Sequence, residues 1–164
     1  EELKDILPEL QMLTKASGDK PSVRYFDGKE GLRAIRQEII MHAHSGDTVY
    51  NFTPADHLRG VFANNEDTHY RQRISKGIHA KTLFTTKADK TKKEWLSTMS
   101  DQKTEIRFVA PESFPVPAGL TIYRDRIAMG SYTGKLFGVV IESEQIANMM
   151  IALFELAWES AKKP

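Results

Sequence analysis

The stretch KPSVRYFDGKEGLRAI, residues 20–35, decides the fold class of this 164-residue chain. Residues 22–26 combine Val, Tyr and Phe, which favours a β-strand. Apolar residues then recur at helical spacing, which predicts an amphipathic helix that ends near residue 44. A strand that passes straight into a helix is typical of an α/β fold. The helical positions expected to face the core are Leu32, Ile35, Ile39 and Ala43.

The starts of several helices carry their own signals. Asp27 can accept hydrogen bonds from the first backbone N–H groups of the helix, and Glu30 follows at the spacing of a capping box. Thr53 is the expected N-cap of a second helix, with Pro54 at its first position. Ser143 has the same expected role before the last helix.

Composition excludes several classes of protein. The net charge of +1 gives no general attraction to nucleic acid or to a membrane surface. The chain has no cysteine, which excludes disulfides and thiolate chemistry and suits a cytoplasmic protein. No apolar run approaches the roughly 20 residues needed to cross a bilayer. We therefore expect one cytoplasmic α/β domain, over residues 20–164.

Residues 1–17 precede this domain and carry a stripe of apolar residues spaced three, four and three apart. This spacing is that of coiled-coil a and d positions, although Pro8 interrupts it. The stripe either packs on its own domain or forms a seam between two chains, and the sequence leaves both open. We expect a linker and dimerisation helix here, with its stripe formed by Leu3, Ile6, Leu10 and Leu13.

The rest of the chain predicts a layered architecture. Residues 47–110 alternate between strand and helix patterns, which implies parallel pairing through crossover helices. Three strands then follow in quick succession over residues 119–141, with short turns that favour antiparallel pairing. We expect a mixed, largely parallel sheet with helices on both faces. Phe154 and Trp158 are expected core anchors of the last helix. The rest of its expected buried face is Ile146, Met149, Met150, Leu153, Ala157 and Ala161.

Common catalytic and metal motifs are absent from the sequence. It contains no H-E-x-x-H, no G-x-S-x-G and no glycine-rich phosphate loop. The five histidines are not spaced to converge, since His42 and His44 are two apart on a helix. We expect no metal and no cofactor. The basic region 71–94 either attracts an anion or a nucleic-acid backbone or is a solvated face, and the pattern favours the solvated face.

Three stretches together resemble the TrmB-like transcriptional regulators of archaea and bacteria. They are LPEL at 7–10, residues 21–32, and FELAW at 154–158. The resemblance spans essentially the whole chain and is to the C-terminal regulatory part of the family. It implies a linking helix, then an effector domain with a phospholipase-D-like fold, in a homodimer that responds to a small-molecule effector. DNA would be bound by an N-terminal winged helix that is not in this chain.

The implied phospholipase-D-like fold allows a check for catalysis. Active members of that superfamily carry H-x-K-x-x-x-x-D and then a Gly-Ser pair, and the His attacks phosphorus while the Lys neutralises the phosphate. Asp125, Gly130 and Ser131 resemble the tail of this motif. However, Ala118 and Leu120 stand at the His and Lys positions, and neither can do this chemistry. The resemblance therefore implies a non-catalytic domain without catalytic residues.

Two alternatives remain open. His79 and Lys81 form a second partial match, although Thr86 stands where the Asp belongs. A diverged phosphodiesterase or nuclease that uses these two residues is the enzymatic alternative. A purely structural dimerisation module without a ligand is the other.

A ligand pocket is expected at the carboxyl ends of the central strands, as in open α/β sheets generally. Its expected occupant is a small molecule whose identity the sequence does not indicate. The candidate lining residues are Thr53, Arg73, Lys81, Arg107 and Ser131.

Overall fold

The computed structural model describes residues 20–63, 68–98 and 103–161. The expected linker helix over residues 1–17, with its apolar stripe, lies outside these residues. The strands within the described ranges are β1 Ser22–Asp27, β2 Thr48–Pro54, β3 His79–Thr85, β4 Thr104–Val109, β5 Ala118–Tyr123, β6 Arg126–Ser131 and β7 Phe137–Glu142. The helices are α1 Gly28–His42, α2 Ala55–Val61, α3 His69–Ser75, α4 Asp89–Thr98 and α5 Glu144–Ser160.

The described strands form one mixed sheet in the order β1-β7-β6-β5-β2-β3-β4. The crossover segments place β2, β3 and β4 side by side in parallel. The meander β5-β6-β7 is antiparallel, and β5 joins β2 in the antiparallel sense. The expected mixed sheet and the antiparallel meander are therefore confirmed.

The expectation that most strands pair in parallel is wrong. The first strand does not extend the parallel set but pairs antiparallel with β7, with Ser22 opposite Glu142 and Asp27 opposite Phe137. Two of the six pairings between described strands are parallel and four are antiparallel. Local sequence patterns identify a strand but do not specify its distant partner, and β1 finds its partner more than 100 residues away.

Helices cover both faces of the sheet, as predicted. On one face, Ile35 and Ile39 of α1 pack against Val49, Ala80 and Val140. On the other face, α5 packs its own apolar side chains against the strands, because successive strand residues point to opposite sides. The buried residues of that second cluster are Leu83, Ile122, Ile127, Ala147, Phe154 and Trp158.

The turn from β1 into α1 does not have the hydrogen bonds of the predicted capping box. Asp27 occupies the N-cap position but makes no side-chain cap hydrogen bond. Its carboxylate instead accepts a 3.0 Å hydrogen bond from the Tyr25 hydroxyl and lies 3.5 Å from Nζ of Lys135. Gly28 adopts a φ of 68°, which disfavours other residues, and its N–H donates to the carbonyl of Leu136. The capping box is therefore wrong, since the loop before β7 holds this turn.

The second predicted helix start is also wrong. Thr53 and Pro54 continue the ladder of β2, opposite Phe84 and Thr85 of β3. Pro54, not Thr53, is the N-cap of α2, and it provides no side-chain cap. The parallel ladder therefore extends further than the local Thr-Pro signal indicates.

The last helix begins and anchors as expected but exposes part of its predicted buried face. The Ser143 hydroxyl accepts a hydrogen bond from the N–H of Ile146 at 3.4 Å. Phe154 and Trp158 are buried, which confirms them as core anchors. Met149 and Leu153 are 54% and 51% exposed, so their predicted burial is wrong. The apolar arc of α5 is wider than the strip of sheet that it covers.

Candidate ligand-binding site

A cavity of about 90 Å³ lies between α1 and the sheet, and its other walls come from α2, α3 and the turn after β6. This volume is several times the ~10–15 Å³ that accommodates one water molecule. The cavity opens on the face that α1 covers, over the middle of β2, β3 and β5.

The floor of the cavity is polar and hydrogen-bonded. The hydroxyl of Thr121 donates to Oδ1 of Asn51 at 2.9 Å, and Nδ2 of Asn51 donates to Oγ1 of Thr82 at 3.2 Å. These residues belong to three adjacent strands and share a face, because Asn51 lies opposite both Thr82 and Thr121 in the ladders. An amide has two donor hydrogens, and a hydroxyl both donates and accepts, so the floor keeps hydrogen-bonding capacity for a ligand.

The walls are apolar and aromatic. Tyr132 lies across two glycines that face each other in the β5–β6 ladder, Gly119 and Gly130. A Cβ at Gly119 would lie 2.8 Å from the Tyr132 ring, so the glycine is what lets the ring approach the sheet. Other large wall residues include Leu32, Ile35, Leu58, Phe62, Tyr70 and Phe84.

One side of the cavity is basic. It is formed by Arg36 of α1 together with His69 and Arg73 of α3. Arg73 is buried, donates to the carbonyl of Ile78 at 2.6 Å and also donates to the hydroxyl of Thr104. Burial lowers the pKa of His69 well below its usual 6.5, and the charges of Arg36 and Arg73 lower it further. None of the cavity-lining residues within the described ranges is Asp or Glu.

A buried carboxylate lies on α1 outside the cavity. Glu38 accepts two hydrogen bonds from Arg24, at 2.7 and 2.6 Å, and a third from the Tyr123 hydroxyl at 3.1 Å. The hydrogen bonds from Arg24 are the main cause that lowers the pKa of Glu38. Burial, and next the Glu38 charge, raise the pKa of the Tyr123 hydroxyl. This network ties α1 to β1 and β5 without contributing to the cavity.

The structure separates the five predicted lining residues. Thr53 and Arg73 line the cavity. Lys81 and Arg107 lie on the opposite face, where Lys81 pairs with Glu155 at 2.9 Å and Arg107 donates to the carbonyl of Trp158. Ser131 ends β6, and its hydroxyl donates to the carbonyl of Thr133. The prediction did not include the floor residues Asn51, Thr82 and Thr121. The sequence signal for two of them is a single polar residue between large apolar ones, Asn51 between Tyr50 and Phe52 and Thr121 between Leu120 and Ile122, whereas Thr82 follows Lys81 and has no such signal.

The partial catalytic motifs do not converge in the described structure. Asp125 is in the turn between β5 and β6, where Arg126 donates to it at 3.0 Å. His79 and Lys81 share the face that α5 covers, because they are two apart on β3. Within the described ranges, no group of three or more His, Asp or Glu residues is placed to hold a metal ion.

No protein-family model and no curated protein sequence matches this chain. Solved structures do share its fold. TrmBL2, an archaeal chromatin protein, aligns with a TM-score of 0.63 at 16% identity, over 99% of this chain. Nuc from Salmonella typhimurium, a phospholipase D family member, aligns at 0.59 with 14% identity, over 88% of this chain and 99% of Nuc. NucT from Helicobacter pylori aligns at 0.61 with 10% identity, over 88% of this chain and all of NucT.

These comparisons confirm the phospholipase-D-like fold that the resemblance to TrmB-like regulators implied. At such low identities the likeness concerns the fold. The chain spans 63% of the length of the TrmBL2 chain, whereas it matches Nuc and NucT over nearly their full length. Among the described helices, none is long and apolar enough to span a bilayer.

Proposed function

We propose that this chain is the ligand-sensing and dimerisation part of a cytoplasmic TrmB-like transcriptional regulator, and that it acts without catalysis. The observation that carries the proposal is the cavity under α1, which combines a hydrogen-bonded polar floor with aromatic walls. Small-molecule sites typically have this composition. The shared fold with TrmBL2, a protein described as binding DNA in a novel mode, supports the choice of class. DNA would be bound by a separate N-terminal domain of the regulator.

The path from ligand to DNA-binding part would run through α1. This helix covers the cavity and follows directly from β1, which is the first described strand after residues 1–17. A ligand that binds one position of α1 better than another shifts the population between the two. Residues 1–17 would pass that shift to the DNA-binding part.

The experiment is a thermal-shift and calorimetry screen of small metabolites against the chain. A ligand that binds the folded state raises the unfolding temperature. Thr82→Val should abolish the shift, because it removes a floor hydroxyl with little change of shape. Thr85→Val is the matched control, since Thr85 is buried on the same strand but does not line the cavity. Absence of any shift across a broad panel would favour a structural module without a ligand.

The shared fold with Nuc supports one alternative, a diverged phosphodiesterase or nuclease that uses His79 and Lys81. The ion pair between Lys81 and Glu155 argues against it, since the lysine charge is already matched by a carboxylate. The test is turnover of bis-p-nitrophenyl phosphate and of DNA by the purified chain. Activity that disappears in His79→Ala would replace our proposal with this one.

We also propose a homodimer formed through the stripe Leu3, Ile6, Leu10 and Leu13. Its basis is the coiled-coil spacing of these residues and the usual two-fold symmetry of DNA-binding dimers. Light scattering should give twice the mass of one chain, and replacing Leu10 with Asp should return it to the mass of one chain. A monomer at high protein concentration would contradict the proposal.

A further inference from the structure

We propose that the homodimer interface extends from the stripe in residues 1–17 onto an apolar surface beside α5, where a second copy of this chain binds. This inference rests on the proposed homodimer and adds the part of the folded domain that takes part in it. The surface, called here the β1–α5 surface, is formed by Val23 and Tyr25 of β1 together with Met149 and Leu153 of α5. All four residues are more than half exposed, at 65%, 57%, 54% and 51% respectively.

Val23 and Tyr25 lie on the face of the sheet opposite to α1. Successive strand residues point to opposite sides, and the residues next to these two face α1. Arg24 binds Glu38 of α1, and Phe26 packs against the core cluster beneath that helix. The exposure of Val23 and Tyr25 means that α5, which covers their side of the sheet, does not reach β1 at the sheet edge.

Met149 and Leu153 are one turn apart on α5, on the flank that points towards β1. The other flank carries Glu155, which pairs with Lys81 of β3 at 2.9 Å. Residues two apart on a helix point about 200° apart, so Leu153 points away from β3. In the strand order β1-β7-β6-β5-β2-β3-β4, the direction away from β3 leads to β1. The apolar surface therefore continues from the flank of α5 onto the edge of the sheet.

The proposed dimerisation segment joins the fold at this surface. Ser22 begins β1 opposite Glu142 of β7, and α5 begins two residues after Glu142, at Glu144. The chain from residue 17 to residue 22 spans at most roughly 18 Å when it is fully extended. In each chain the end of the dimer seam must lie within that distance of Ser22, which places both β1–α5 surfaces next to the seam.

The charges beside the surface are matched within one chain, which suits a contact between two identical copies. The carboxylate of Asp27 accepts a hydrogen bond from the Tyr25 hydroxyl and lies 3.5 Å from Nζ of Lys135. In a two-fold contact each surface meets a copy of itself, so an unmatched charge would approach its own sign. Exposed apolar patches mark protein–protein contacts, and Tyr is among the residues that contribute most to them. The cavity lies on the other face of the sheet, so this contact leaves it accessible.

The test is sedimentation equilibrium of the whole chain and of two matched variants, Met149→Asp and Met41→Asp. Both methionines are exposed helix residues, but Met41 belongs to α1, on the other face of the sheet. Met149→Asp should raise the dimer dissociation constant about 10- to 100-fold, because each dimer loses the burial of two methionine side chains. Met41→Asp should keep the dissociation constant of the wild type. Circular dichroism checks that both variants are folded.

Thiol protection locates the contact directly, because the chain has no cysteine of its own. Met149→Cys should react slowly with iodoacetamide in the dimer and should lose this protection on dilution below the dissociation constant. Met41→Cys should react at the same rate at both concentrations. Protection of Met149→Cys that persists on dilution would mean that residues 1–17 of the same chain cover the surface, and would overturn the inference.

The outcomes separate this inference from the homodimer proposal. If Leu10→Asp dissociates the dimer and Met149→Asp does not, the homodimer stands and the extended interface is overturned. Equal effects of Met149→Asp and Met41→Asp would also overturn it. A tetramer that Met149→Asp reduces to a dimer would assign the surface to a separate interface and overturn the continuity with the stripe. A monomeric wild type would contradict both proposals and leave the ligand-sensing proposal untouched.

Discussion

The two faces of the sheet hold their polar groups in opposite ways. On the α1 face, Asn51 is hydrogen-bonded to both Thr82 and Thr121 beneath a cavity, and α1 lies over them. On the α5 face, Lys81 and Arg107 reach across to the helix and bind it directly. Neutral polar strand residues thus line a cavity on one side, and charged strand residues bind a helix on the other. Direct contact with the covering helix indicates a packing role, whereas the gap beneath α1 is the feature on which the proposed ligand binding depends.

The largest expected effect on stability comes from a substitution on the α5 face. Trp158 stacks on Phe154 at 5.7 Å between ring centroids, and the guanidinium of Arg107 lies over the Trp158 ring, 4.6 Å from its centroid. Trp158→Ala should lower the free energy of unfolding by about 3–5 kcal/mol, because it removes a buried aromatic ring. Urea denaturation measures this value. The control is Leu156→Ala on the same helix, which is 72% exposed and should change stability by less than ~0.5 kcal/mol. Equal effects of the two would mean that α5 is not anchored by its aromatic residues.

The second-largest effect on stability is expected on the α1 face, where Glu38 binds α1 to the sheet. Glu38→Gln removes the charge that Arg24 pairs with, and should cost about 1.5–3 kcal/mol of stability. Urea denaturation at pH 7 measures the free energy of unfolding of the wild type and of Glu38→Gln. Glu112→Gln, at an exposed loop position, is the control and should leave stability unchanged. No loss in Glu38→Gln would show that α1 is held by its apolar contacts.

The same residue gives a pH dependence of defined sign. The folded pKa of Glu38 is lowered from its usual 4.5, so the folded state binds this proton less readily than the unfolded chain. Its contribution to stability is therefore complete above pH 4.5 and is lost as the pH falls through the lower folded value. Between pH 5 and the acid transition, the wild type should lose more stability than Glu38→Gln. Parallel curves for the two proteins would contradict this assignment.

The smallest effect on stability is expected for the ion pair between Lys81 and Glu155 on the α5 face. Lys81→Met should lower stability by roughly 0.5–1 kcal/mol, because the pair with Glu155 is only partly buried, at 26% and 39% side-chain exposure. It should not change the affinity of any cavity ligand, since the side chain lies on the other face. Lys93→Met on the exposed side of α4 is the control for loss of charge. A change of ligand affinity in Lys81→Met alone would break the contrast between the faces.

The local signals had mixed success, since the capping signals at Asp27 and Thr53 were wrong while others were confirmed. Alternating apolar residues located the strands, and the Ser143 cap and the Phe154 and Trp158 anchors were confirmed. Long-range pairing was not predictable, since the partner of β1 depends on which edge of the sheet remains open. The width of the buried arc on α5 was misjudged for the same reason, because the sheet beneath it sets how much is covered.

The predicted ligand-binding residues divide between the two faces of the sheet. Arg73 and Thr53 line the cavity, whereas Lys81 and Arg107 lie on the other face of the sheet. Alternation along a strand assigns residues to faces, but it does not tell which face a helix closes and which it leaves hollow. The decisive quantity is the fit of side chains between helix and sheet, such as the Tyr132 ring over Gly119. No short sequence pattern encodes that fit.

The position of β1 has a consequence for how binding can be observed. Within the described residues β1 is hydrogen-bonded to a strand on one side, so its release breaks one ladder, while release of β2 or β5 breaks two. Its amide protons should therefore exchange with solvent earlier than those of the sheet centre. Because β1 runs directly into the helix above the cavity, a ligand that holds this helix should slow exchange in a strand that it does not touch. Hydrogen exchange of residues 22–27 would then report whether the cavity is occupied, although β1 does not line it. β1 is also the described strand nearest to the N-terminus.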